Sequence, residues 1–334
     1  MQAIVRNLII ISMLAPSFAW AADDALVIYS GRSDKFVKPV LKAFTTATGV
    51  KTILHAGSST ALLNKLRLEG KRSEADLYMS NDAGNLQKGA DMGLFKPMSA
   101  SIYSGVPQNL RAVDGAWVGL SARARVLVIN KTAKDVDFVK SIFDLADPRL
   151  KGKLAVTHSG NESYIAGVTV YMEAAGVEKT QKWLEGVKNN IEGKVFNKHS
   201  KIVKAVAQGK KSVGLVNHYY IYRYLDKHPD APIRIVMPDQ GKDGMGVAWN
   251  VAGAAIARHS GKTKSAEKLL AFLLSDQGQN AFAKVNREYP VRKGIKAAKE
   301  IPAAGSFKIA DVPMGELGKK RAATLDLIEK VGMP

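Results

Sequence analysis

Apolar positions alternate between short continuous runs and helical spacing along almost the whole chain. Runs at 25–30, 51–55 and 75–80 predict strands, and each is followed by a helical pattern, at 35–48, 60–69 and 83–92. In the first of these helices Phe36, Val40, Leu41 and Phe44 fall on one face at helical period. Gly70 and Gly93 stop the second and third. This βαβαβα order predicts a parallel sheet with helices on both faces. Residues 119–130 read as a longer strand that carries Arg123 and Arg125. The pattern then restarts. Strands are expected at 154–157, 212–217, 233–237 and 248–256, and helices at 161–175, 178–189, 201–208, 219–227, 264–274 and 277–285. No flexible linker separates the two α/β units, so two lobes joined by strands are expected.

The first 21 residues have a different character. Arg6 supplies a positive start, an apolar run at 8–14 follows, Pro16 breaks it, and Ala19-Trp20-Ala21 is a small-x-small cleavage site. Residues 1–21 therefore read as a cleavable signal peptide, too short to span a bilayer. No later stretch reaches the roughly 18 apolar residues that a transmembrane helix needs. The expectation is an exported, soluble chain starting near Ala22 or Asp23, without membrane insertion, most simply in a bacterial periplasm.

Composition narrows the chemistry. At 334 residues and 46% hydrophobic the chain has enough apolar material for two cored units. It has no cysteine, which excludes disulfide scaffolds, thiolate metal sites, cysteine nucleophiles and an acylated N-terminal anchor. Lys+Arg 49 against Asp+Glu 30 gives a net charge of +19. The lysines are scattered, the longest basic run is Lys319-Lys320-Arg321, and no nucleic-acid motif appears, so no nucleic-acid partner is expected. A solvated basic surface accounts for the charge, with attraction for anionic ligands or an anionic membrane surface as its functional counterpart. The six histidines show no metal-binding spacing. No phosphate loop, nucleophile elbow or paired catalytic carboxylate stands out, so no enzyme is expected.

Five segments carry a family resemblance: Leu26-Val27-Ile28-Tyr29-Ser30, Ala75-Asp76-Leu77, the stretch 119–126 with Ser121-Ala122-Arg123-Ala124-Arg125, Asn217-His218-Tyr219-Tyr220, and Arg287-Glu288-Tyr289-Pro290-Val291. Together, in this order and across nearly the whole mature chain, they resemble the periplasmic ferric-iron-binding proteins of bacterial ABC transporters. The Tyr-Tyr pair after a strand end is the specific element. The resemblance implies a type 2 periplasmic binding protein, α/β and two-lobed, similar in plan to one transferrin lobe. Each lobe would be a central mixed sheet flanked by helices. It implies an N-terminal lobe at 25–125 plus 250–300 and a C-terminal lobe at 126–249 plus 301–334, with Arg125, Val126 and Asn250 on the hinge strands. It further implies a monomer that carries ferric iron in the cleft and delivers it to an inner-membrane permease.

The tyrosine pair suits that cargo. Ferric iron is a hard cation that prefers anionic oxygen. A free tyrosine has a pKa near 10, so about one in a thousand is ionised at neutral pH, and removing the proton costs roughly 4 kcal/mol. Only a strongly Lewis-acidic metal offsets that twice, so the pair filters Fe³⁺ from Ca²⁺ or Mg²⁺. Asn217 is expected to cap a helix whose first turn holds Tyr219 and Tyr220, with His218 pointing away from them. The plain alternative is that the two rings only pack the helix, alongside Tyr222 and Tyr224.

The remaining ligands depart from the family. Relatives place His or His-Tyr where this chain has Ser33 and Asp34, a further tyrosine where it has Ser163 beside Tyr164, and a Glu where it has Asn81 beside Asp82. Tyr164, Asp82 and Asp34 are the candidates to complete the site, although either aspartate also fits a helix cap. An exogenous anion, carbonate or another, is implied as a companion ligand. Its candidate seat is Ser159-Gly160-Asn161 at a helix start, with Arg125 as a bidentate partner and His158 nearby. Two alternatives stay open: the same fold binding an anionic small molecule such as a sugar phosphate or organic acid, and an exported enzyme on a similar scaffold.

Overall fold

The computed structural model describes residues 25–334. The signal peptide expected at 1–21 lies outside the described residues. The chain opens with β1 (Leu26–Ser30), α1 (Asp34–Thr48), β2 (Thr52–Ala56), α2 (Ser59–Glu69), β3 (Leu77–Ser80) and α3 (Ala83–Asp91). The short β4 (Phe95–Lys96) and α4 (Ala100–Tyr103) lead into the long β5 (Val118–Asn130). A second unit follows: β6 (Leu154–Ala155), α5 (Glu162–Ala175), α6 (Val177–Ile191), α7 (His199–Ala207), β7 (Val213–Asn217), α8 (Tyr219–Leu225) and β8 (Ile233–Val236). The chain returns through β9 (Trp249–Ala257), α9 (Thr263–Leu274), α10 (Asp276–Asn286) and β10 (Tyr289–Pro290), and closes with α11 (Glu316–Lys319) and α12 (Arg321–Val331).

β1 is buried along its whole length and pairs in parallel with β2 on one side and β3 on the other. Beyond β3 the parallel order expected from the sequence ends, because β9 runs antiparallel to both β3 and β5. The sheet is therefore mixed. The reason is that β9 arrives more than 160 residues after β3, and alternation along the chain carries no information about so distant an insertion.

β5 joins the two lobes. Its first part, to Ala124, pairs with β9, and from Arg125 onward it pairs with β7 and then β8. All thirteen of its residues are buried, which is why it reads as a long apolar run with only two arginines. Among the described residues no helix is long and apolar enough to cross a membrane.

The C-terminal helices were not legible from period. In α12 only Thr324, Leu327 and Ile328 are buried, too few for an amphipathic stripe. The closing segment touches elements of both units. α12 packs on α5 and α6, but α11 lies on α3. Gly318 permits that approach, since a Cβ there would meet the Gly84 carbonyl oxygen at 2.9 Å.

Candidate metal centre

Between the lobes lies a cavity of about 880 Å³, and both Tyr219 and Tyr220 line it. Their position is set by the turn from β7 into α8. His218 is buried there, with Nδ1 accepting from the Ala124 amide at 3.2 Å and Nε2 facing the Arg287 carbonyl at 2.7 Å. Burial pushes its pKa down to about 4, so the ring is neutral and Nε2 carries the proton. Both ring nitrogens are thus committed to backbone, and the next two residues enter the helix facing the cleft.

The tyrosine rings lie 4.5 Å apart, tilted by 37°. The Asn217 amide donates to the Tyr219 hydroxyl at 3.3 Å. Phe36 of α1 meets the Tyr219 ring edge-on at 6.3 Å, and His199 of α7 stacks on Tyr220 at 5.0 Å. The neighbouring Tyr219 phenol, with burial, pushes the Tyr220 pKa up: two phenols this close resist losing both protons unless a cation takes their place. Asn217 does not cap α8 as expected. His218 holds the cap position with helical backbone angles, and the Asn217 side chain instead accepts from Arg125 Nη1 at 3.3 Å and donates to Ser163.

The other candidates are placed unevenly. Gly160 and Asn161 line the cavity; Ser159, Arg125, Tyr164, Asp82 and Asp34 are not among its walls. The Ser159 amide donates to the Pro334 carbonyl at 2.7 Å. The Asn161 side chain accepts from the Ser163 and Tyr164 amides, so it satisfies the start of α5 itself. Tyr164 is buried against Trp183 at 6.4 Å, and burial raises its pKa. Asp82 caps α3 through the Asn85 amide and accepts from Asn250 at 2.9 Å, with Arg321 at 3.4 Å. Asp34 pairs with Lys38 at 2.6 Å on the surface of α1, and Ser33 takes the wall position.

Of the two arginines on β5, Arg123 lines the cavity and Arg125, the one chosen from the sequence, does not. Arg125 is buried behind it, beside His199 Nδ1 at 3.2 Å, and burial lowers its pKa to about 10. Its Nε and Nη2 have no partner among the described residues.

Several wall residues escaped the sequence. Arg32 and Glu288 form a buried ion pair at 2.6 Å, with Ser121 donating to the same carboxylate. Burial drives the Glu288 carboxyl up, but Arg32 and Ser121 outweigh it and hold the pKa below the usual value. Glu288 stands inside the Glu-Tyr-Pro segment, so a lone carboxylate there was the available signal. His199 was missed because α7 begins two residues before the expected start at 201. Glu162, on the second lobe, reaches Thr60 and Asn85 of the first at 3.4 Å.

The chemistry available follows from this inventory. Four cationic side chains, Arg32, Arg123, Lys198 and Arg321, line the cavity against two carboxylates, Glu162 and Glu288. Two phenolates on a trivalent ion leave one positive charge, which these walls disfavour unless an anion accompanies the metal. Among the described residues no group of three or more His, Cys, Asp or Glu is placed to hold a metal; the phenol oxygens of Tyr219 and Tyr220 are donors on the cavity wall beside Glu162 and Glu288.

Known proteins share this plan. The sequence profile described as bacterial extracellular solute-binding protein matches residues 40–309. Iron uptake protein A1 of Synechocystis sp. is 30% identical over 312 residues, covering 91% of this chain and 86% of its own. Iron-bound HitA from Pseudomonas aeruginosa superimposes with a TM-score of 0.85 at 27% identity, over 92% of this chain and 99% of its own. A Trichodesmium protein (IdiA, FutA) in complex with iron and citrate ligands gives a TM-score of 0.83 at 30% identity, over 93% of this chain and 100% of its own.

Proposed function

The chain belongs to the bacterial extracellular solute-binding proteins, and from that membership we propose that it captures ferric iron in the cleft between its lobes through Tyr219 and Tyr220. The observation that carries this reading is the adjacent phenol pair at the first turn of α8, on the wall of an inter-lobe cavity. Relatives named for iron uptake, and solved in iron-bound form, support it. The protein is a carrier and not an enzyme.

A companion anion fits the cationic walls. Arg123, Gly160 and Asn161 are the residues to hold it, and Arg125, through Asn217 and His199, backs the same wall. The Trichodesmium relative holds citrate with its iron. The same cations also suit an anionic small molecule without metal. The phenol pair favours iron, because a trivalent cation offsets the loss of two phenol protons and relatives of this plan are solved with iron bound.

The hinge of this carrier is the point on β5 where Ala124 gives way to Arg125, together with Asn250 on β9. The lobes on this reading are 25–125 plus 250–300 and 126–249 plus the C-terminal helices. The loaded, closed form is the one delivered to an ABC permease in the inner membrane. Export to the periplasm follows from the leader at 1–21, and N-terminal sequencing of the exported protein is expected to begin near Ala22; a start at Met1 would remove this part of the proposal.

The test of the iron reading is an absorption spectrum. Purified protein with ferric citrate should develop a visible phenolate-to-iron band. Tyr219→Phe and Tyr220→Phe should each weaken or shift it, and the double variant should abolish it. A colourless wild type, or a coloured double variant of unchanged affinity, would show that these are the wrong ligands.

A further inference from the structure

A second cavity, of about 580 Å³, adjoins the first, and Tyr220 is a wall of both. The second cavity is lined by Lys35 of α1, by Arg223 of α8 with Lys227 just beyond it, and by Lys284 and Arg287. One carboxylate, Asp226, faces it, and that group is already held by Arg287 at 3.1 Å. Asp34, next to Lys35 in the chain, is turned away to Lys38. Among the described residues, Lys35, Arg223 and Lys227 have no carboxylate within 4.0 Å.

The cations are also drawn together. The Lys35 ammonium lies 5.1 Å and the Arg223 guanidinium 4.5 Å from the centre of one ring, that of Phe36, and Phe36 itself touches Tyr219. One cation comes from the first lobe and the other from the second. Burial lowers the Lys35 pKa, and so do Arg223, Lys227 and Lys198, as expected of like charges that nothing neutralises. A fold that gathers unpaired cations on both sides of a binding cleft favours a polyanion there.

We propose that this rim receives ferric iron as an anionic polycarboxylate chelate, holding the free carboxylates of the chelate while the metal passes inward to Tyr219 and Tyr220. The proposal rests on the iron reading above. The metal stays ferric throughout. Each iron–oxygen bond to the chelate that breaks is replaced by a bond to a phenolate, and each phenol proton leaves to the released carboxylate or to water. The rim differs from the inner anion seat in place and in role: it acts on arrival, not in the loaded complex.

The experiment is stopped-flow capture, followed by the change from each donor's own spectrum to that of the loaded protein, with two donors: ferric citrate, which is anionic, and ferric acetohydroxamate at low ligand ratio, which is cationic. In low salt, the variant Lys35→Gln/Arg223→Gln/Lys227→Gln should take iron from ferric citrate about tenfold more slowly than wild type, with a flatter salt dependence. Its rate with the cationic donor should not fall, and its final spectrum should match wild type. Lys35→Gln/Lys227→Gln, which leaves Arg223 on Phe36, should show the same direction in smaller measure, and Lys35→Arg/Lys227→Arg should behave as wild type. An unchanged rate from ferric citrate, or an equal slowing with both donors, would overturn the rim site. A wild type that gives no band with either donor would instead overturn the iron reading, and the rim proposal with it.

Discussion

Tyr219 and Tyr220 face the cleft because His218 before them is held by backbone at both ring nitrogens. On the proposed reading the tyrosines set the pH behaviour of binding. As iron ligands each would lose a proton, so the proposal expects apparent affinity to rise by about two decades per pH unit below neutrality, before any titration of the anion. Each single Phe variant should reduce that slope by about one, in equilibrium titrations against a competing chelator. His218 sets a different dependence, on stability. Its ring takes up a proton near pH 6.5 when unfolded but only near 4 when folded, so its contribution is complete above 6.5 and is lost as pH falls toward 4. The difference amounts to roughly 3 kcal/mol. Urea unfolding at pH 7 and pH 4.5 should show this loss in wild type, and His218→Gln should remove roughly 2–3 kcal/mol of it. The tyrosine pair stood out in the sequence through the family segments around it, since adjacent rings by themselves fit plain helix packing as well. Arg123 against Arg125 was not legible, since both stand two apart on one strand and only the third dimension decides which meets the cleft.

At the scale of elements, Asp82 ties three together: it caps α3, accepts from Asn250 on β9 and faces Arg321 of α12. It is completely buried, so Asp82→Asn leaves donors without an acceptor and should cost about 2–4 kcal/mol in urea unfolding. The iron band of that variant should keep its position; a shifted band would make Asp82 a ligand after all. The helices and strands that bury a face were readable from period alone, as α1 shows with Phe36, Val40, Leu41 and Phe44 against the core. What period did not reveal were the direction of β9, the two-residue β10, and α12. Each lacks a repeating stripe of its own and is placed by contacts with distant chain.

For the molecule as a whole, β5 is shared between the sheets of the two lobes and β9 pairs with its first part; on the proposed reading these strands are the hinge, and a metal held by α8 on one side and by an anion across the cleft would draw the lobes together. Small-angle scattering should therefore give a smaller radius of gyration for the iron-loaded form than for the apo form; identical profiles would mean that the two states do not differ by closure. The same strand order also bears on how the chain is made. β9 fills the gap between β3 and β5, so the first sheet cannot be completed until residue 257 has left the ribosome. At about 5–20 residues per second, β1 to β3 wait on the order of ten seconds or more with an open edge. The first strands to be made thus cannot lock when they are made. If the chain is exported as proposed, that delay would serve it, because its leading segment would stay unfolded and threadable while the rest is still being synthesised.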